Sequence, residues 1–179
     1  MKSFKKYIIT GPPGSGKSTL IKALENHGIS CVKEVSRDII IQEQEKGSEG
    51  MPWKDIQRFT DLVFIETKHR LATQPESRFT DRSLIDNIAY LQHHNKTIPP
   101  SLKTFNYNLY YHKVVFFTPS WKSIYITDQQ RPQQFDAQIT LEHQLKQTYL
   151  NFGFTLIEVP RVSVNDRVNF IVNSIVEKK

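Results

Sequence analysis

One cysteine in 179 residues, Cys31, leaves no second thiol for an intramolecular disulfide and no set of thiolates for a metal cluster. It lies in the apolar-leaning Ile29–Val32 segment, where a buried strand residue is expected. Long apolar runs are also missing, and none approaches the ~20 residues of a membrane-crossing helix. Met1-Lys2-Ser3-Phe4-Lys5-Lys6 leads directly into the first strand pattern, which leaves no room for a cleaved leader, so a cytoplasmic location is expected. Repeats, linkers and low-complexity tracts are absent, so residues 1–179 read as a single domain. Charge of one sign is not concentrated either. The 24 Lys and Arg exceed the 18 Asp and Glu by six, but they are scattered, with short clusters only at Lys2, Lys5, Lys6 and at Lys178, Lys179. Without a basic helix face or aromatic–basic interleaving, nucleic acid is disfavoured as a partner. His93 and His94 are adjacent and lack helical i, i+4 spacing, so a metal site there is not expected. No Asn-Lys-x-Asp segment is present to read guanine, which lowers a GTP switch.

What is present begins at the first apolar segment. Phe4–Thr10 carries the Tyr7-Ile8-Ile9 core of a buried strand, and Leu20, Ala23, Leu24 and His27 follow at helical spacing. Between them lies Gly11-Pro12-Pro13-Gly14-Ser15-Gly16-Lys17-Ser18-Thr19, which matches G-x-x-x-x-G-K-[ST]. Glycines let backbone N–H groups turn towards a phosphate, and the helix that follows offers unsatisfied N–H groups and the positive end of its dipole. Lys17 can reach the β- and γ-phosphates, and the Ser18 hydroxyl can ligate Mg²⁺. The expected ligands are therefore ATP, or another nucleoside triphosphate, and Mg²⁺.

The rest of the chain alternates strands with helices. Ile29–Lys33 reads as the second strand, with Glu34 at its C-terminal end, where open parallel sheets bind ligands. Val35–Lys46 reads as helix, placing Arg37 and Asp38 where they could share a face with Glu34. Glu34 is a candidate general base for an attacking hydroxyl; alternatively it is a helix-start carboxylate in a local ion pair. Trp53–Ala72 has helical character, and Trp53 reads either as core or as a stacking surface for a ring-bearing substrate. Ser77–Ser83 reads as a short, weakly apolar strand ending in Asp81, the position of the acidic partner of Mg²⁺ in phosphate-loop enzymes. Arg82 next to it could neutralise phosphoryl charge. In the plainer reading, Asp81 or Ser83 simply caps the helix Leu84–Leu91. Ser101–Tyr111 is aromatic and polar and reads as a helix, and Lys113–Thr118 reads as a central strand. The polar stretch around residues 120–137 reads as a lid carrying Arg131, or as an ordinary connection. Ala137–Asn151 is helix, Phe154–Val159 the last strand, and Ser163-x-x-Asp166 starts the closing helix. The loop Pro160–Val162 is a place where an adenine could lie. The sum is a doubly wound α/β domain with five parallel strands.

With these motifs assembled, the chain resembles the small AAA-grouped predicted ATPases related to the nicotinamide riboside kinase domain. It is more distantly similar to deoxynucleoside and nucleoside monophosphate kinases. The residues that carry the resemblance are Gly11–Thr19, Glu34-Val35-Ser36-Arg37, Pro52-Trp53 and Phe79–Asp86. Pro119-Ser120-Trp121, Ile124-Tyr125 with Asp128 and Arg131, and Glu158-Val159-Pro160 extend it over nearly the full length. The resemblance implies a P-loop, kinase-like core with Lys17 on the phosphates, Ser18 and Asp81 at Mg²⁺, a lid around Arg131, and Glu34 and Arg82 facing an acceptor. The leading expectation is an enzyme that moves the γ-phosphoryl group of ATP to a small, nucleoside-like acceptor. The alternative is a regulatory ATPase or GTPase switch acting on a protein partner.

Overall fold

The first strand, β1 (Lys6–Thr10), alternates its side chains across the sheet, so Ile8 and Ile9 anchor two different cores. The computed structural model describes residues 5–125 and 135–176. β1 is central in a five-stranded, all-parallel sheet of order β2-β3-β1-β4-β5, with β2 at Cys31–Val32, β3 at Phe79–Asp81, β4 at Tyr111–Phe117 and β5 at Thr155–Glu158. Ile9 is in register with Asp81 on one side and Phe116 on the other.

Helices cover both faces. On one face, α1 (Lys17–Asn26) and α8 (Val164–Val176) pack Leu20, Leu24, Val168 and Ile171 against Ile9, Phe79 and Phe116. On the other, α2 (Val35–Glu45), α3 (Ile56–Thr73), α4 (Leu84–His93) and α7 (Phe135–Asn151) close over Ile8 and Val115 with Ile39, Val63, Ile85 and Tyr149. The doubly wound parallel α/β architecture matches the expectation. Among the described residues, no helix is long and apolar enough to cross a membrane.

Four local expectations change. Strand β2 is two residues long and lies at the sheet edge, shorter than Ile29–Lys33. Helix α3 starts at Ile56 because Asp55 caps it, accepting a bond from the Arg58 N–H at 3.0 Å. The Ser101–Tyr111 helix is two short helices, α5 (Pro100–Thr104) and α6 (Tyr107–Tyr110), with Phe105 extended between them. Strand β4 begins two residues earlier than Lys113. Strand β3 tolerates its weak apolarity in the sheet interior because the buried Thr80 hydroxyl donates to the Arg82 carbonyl at 3.0 Å.

Candidate active site

The phosphate loop, Glu34, Asp81, Arg82 and Thr118 lie at or just beyond the C-terminal ends of β1, β2, β3 and β4, where the sheet order reverses about β1. The loop between β1 and α1 turns through Gly11, Gly14 and Gly16, all at positive φ. At Gly11 a Cβ would collide with the carbonyl and hydroxyl oxygens of Thr118 at the end of β4. The Ser15 hydroxyl pairs with the Thr118 hydroxyl at 2.7 Å, so that side chain braces the loop and leaves the backbone to face a ligand. Ser18 and Thr19 are exposed at the first turn of α1, and Pro12, Pro13, Gly14, Gly16, Lys17, Ser18 and Thr19 all line one cavity of about 1110 Å³.

Lys17 is buried and makes an ion pair with Asp81, and its ammonium lies 3.6 Å from Glu34. Arg82 completes the cluster. Its Nε donates to Glu34 Oε1 at 3.0 Å, and its Nη1 donates to the Gly11 carbonyl at 3.0 Å and to Asp86 Oδ1 at 3.1 Å. Arg82 adopts φ 66°, a conformation an L-residue rarely holds, while its own N–H bonds the Ile9 carbonyl at 2.9 Å. The phosphate loop, the start of α2 and α4 thus meet on one guanidinium.

These contacts resolve several open readings. Ser83 is the N-cap of α4, in a capping box with Asp86, so Asp81 is free of that duty and faces Lys17. Glu34 stands at the start of α2, yet its carboxylate makes no cap bond and instead joins Arg82 and Lys17. Arg37 lines the cavity, whereas Asp38 turns away to Arg70 on α3 at 2.8 Å. Trp53 is 62 % exposed and lines the cavity, so it is not core. The start of the lid-like segment, Trp121 and Ile124, lies on the cavity wall, but Asp128 and Arg131 fall outside the described residues. Val162, from the loop expected near an adenine, lines the same wall.

The electrostatics follow from burial and proximity. Burial pushes the Glu34 carboxyl up, but Arg82 and Lys17 outweigh it and hold it below its ordinary value. Asp81 is pushed up, because burial and the neighbouring Glu34 outweigh Lys17. Burial works against the Arg82 charge, yet Glu34 and its other neighbours keep that guanidinium firmly protonated. The Ser18 hydroxyl lines the large cavity and the Asp81 carboxylate a small one that shares Glu34, Ser36 and Arg82 with it, and both are hard oxygens of the kind Mg²⁺ takes. Mg²⁺ retains water and phosphate ligands, so two protein oxygens of this kind suit it.

Four residues here carry no role in the sequence reading. Asp86 is fully buried and accepts from Thr10, Tyr149, Arg82 and the Ser83 N–H; its signal was the Ser83-x-x-Asp86 spacing. Tyr90 lines the cavity one turn further along α4. Thr118 and Arg167 meet the loop only through tertiary contact and leave no sequence signal.

The family model of the AAA domain matches residues 6–167. The chain belongs to this family. No curated protein sequence matches it significantly. Among solved structures, this AAA domain is similar to deoxyadenosine kinase from M. mycoides with products dCMP and dCDP bound, at 17 % identity and a TM-score of 0.66, covering 96 % of this chain and 99 % of that one. Thymidylate kinase from Candida albicans follows at 16 % identity and a TM-score of 0.58, covering 97 % and 91 %. Thymidylate kinase from Ehrlichia chaffeensis gives 12 % identity and a TM-score of 0.57, covering 96 % and 97 %. At these identities the likeness is one of fold, the P-loop nucleoside and nucleotide kinase fold.

Proposed function

We propose that this AAA domain is an ATP- and Mg²⁺-dependent kinase that transfers the γ-phosphoryl group to a hydroxyl of a small, nucleoside-like acceptor. The observation that carries the reading is the cavity itself. One cavity is lined by the phosphate loop, by Glu34 and Arg82, and by Arg37, Ile40, Tyr90 and Trp53, and the last four would form the acceptor chamber. A plain hydrolase needs no such chamber, and its aromatic and apolar lining suits a flat ring better than a protein surface.

In this reading Glu34, ionised because of Arg82, takes the proton of the acceptor hydroxyl. The acceptor oxygen bonds the γ-phosphorus while the bond to the bridging oxygen of ADP breaks. Lys17 leaves Asp81 and Glu34 for the phosphate oxygens and balances the charge that develops there. Arg82, tied to Gly11, Glu34 and Asp86, keeps base and phosphate loop in one frame. Mg²⁺, held by Ser18 and Asp81, would supply further charge stabilisation on the phosphates. Arg131 is placed in this scheme as a lid cation on the basis of sequence alone.

Incubation with Mg-ATP and a panel of nucleosides, nucleotides and ribosides, followed by mass spectrometry, tests it. A product heavier by one phosphate is expected, with kcat reduced ~10²–10⁴-fold in Glu34→Gln while ATP still binds. Hydrolysis indifferent to every acceptor would sink the reading.

A further inference from the structure

Two guanidinium groups with little exposure border the cavity, and they are treated oppositely. Arg82 has two carboxylates, Glu34 and Asp86. Arg167, on the first turns of α8 and only 2 % exposed, has none among the described residues. Its Nη1 and Nη2 reach the carbonyls of Gly16 and Ser15, each at 3.4 Å, the outer limit of a hydrogen bond. Its Nε is buried without a hydrogen-bond partner among the described residues, and its Cζ lies over the Trp121 ring, 5.8 Å from the centre. Burial alone makes this cation harder to keep charged.

A buried cation with no counter-charge is costly, and a scaffold role would be served better by an apolar side chain. The cost makes sense if an anion completes the site. Arg167 lies on the cavity wall with Trp121, Ile124 and Ser163, against the α8 side of the phosphate loop, whereas Lys17 faces Asp81 and Glu34. Gly16 is needed for this approach, since a Cβ there would lie 2.9 Å from Arg167 Nη1 and 3.0 Å from Ile124. A neutral base ring could accept a hydrogen bond but could not neutralise the charge; a phosphate oxygen does both.

We propose that Arg167 is a second phosphate-binding cation, which donates from its unpartnered edge to the nucleotide's phosphate chain on the α8 side of the loop. The inference rests on the nucleotide-binding reading of this cavity.

The test measures ATP and inorganic tripolyphosphate binding, by calorimetry and thermal shift, for the wild type, Arg167→Gln and Arg167→Lys. Loss of a charge-assisted hydrogen bond predicts ~10–100-fold weaker binding of both ligands in Arg167→Gln. Arg167→Lys should recover part of it. Without ligand, Arg167→Gln should melt at or above the wild type, because an unpaired buried charge is gone. Unchanged ATP affinity would overturn the proposal. So would a loss confined to ATP, which would indicate a base contact. A lowered ligand-free melting temperature with no rescue by lysine would reduce Arg167 to scaffold. Failure of the wild type itself to bind ATP would instead bring down the nucleotide reading on which all this stands.

Discussion

At the scale of single residues, the site is governed by which carboxylates are paired and which are burdened by burial. Glu34 is held below its ordinary 4.5 by Arg82 and Lys17 despite burial. A lowered carboxyl means that its stabilising contribution is complete above the unfolded value and disappears as pH falls through the folded one. The melting temperature of the wild type relative to Glu34→Gln should therefore be constant from neutrality down to about pH 5 and converge only in more acidic solution. A convergence already at pH 6–7 would contradict the pairing. Asp86 works differently. It accepts four bonds from β1, α4, α7 and Arg82, so it is a strut between elements rather than a reacting group. Asp86→Ala leaves Arg82 short of a counter-charge and the Tyr149 hydroxyl short of an acceptor. The expected loss is about 3–5 kcal/mol in urea unfolding.

At the scale of elements, the phosphate loop is shaped by its neighbours as much as by its own glycines. Thr118 at the end of β4 occupies the space that a side chain at position 11 would need, and it also bonds Ser15. Gly11→Ala should consequently abolish nucleotide binding while far-UV circular dichroism still shows a folded α/β protein. Retained ATP affinity would mean that the loop can move away from β4. The segment after β4 is braced in the same manner. The Ser120 N–H donates to Glu142 of α7 at 2.6 Å and Arg161 donates to the Ser120 carbonyl at 3.0 Å. Tyr125 and Phe135 bring their rings to 5.5 Å, so the two ends of the intervening segment stand side by side.

At the scale of the whole molecule, the cavity cuts between structure carried by both faces of the sheet: α2 and α4 line it from one face, α1 and α8 from the other. A ligand that spans it links both layers. ATP at 100 times its Kd should raise stability by about 2.7 kcal/mol, or roughly 5–10 °C in Tm for a chain of this size. Lys17→Ala should remove that shift. An ATP-induced shift that persists in Lys17→Ala would locate binding elsewhere.

The sequence by itself determined the fold class and the centre of the site. The glycine loop, the strand-to-helix switch at Thr10–Lys17 and the apolar runs are local patterns, readable because periodicity and backbone freedom are local properties. It also pointed to Lys17, Ser18, Glu34, Asp81 and Arg82 as candidates, since each stands at a strand end or in the first turn of the helix after the phosphate loop. Only the tertiary structure decided what those residues do to one another. Glu34 pairs with Arg82 from 48 positions away and not with its own helix, Asp81 faces Lys17 from 64 positions away while Ser83 caps α4, and Trp53 lies in the cavity and not in the core. Arg167 is the extreme case. It lies 151 residues from Gly16, and nothing in its neighbourhood along the chain marks it, because contact between the first and last helices exists only once the sheet has brought them together.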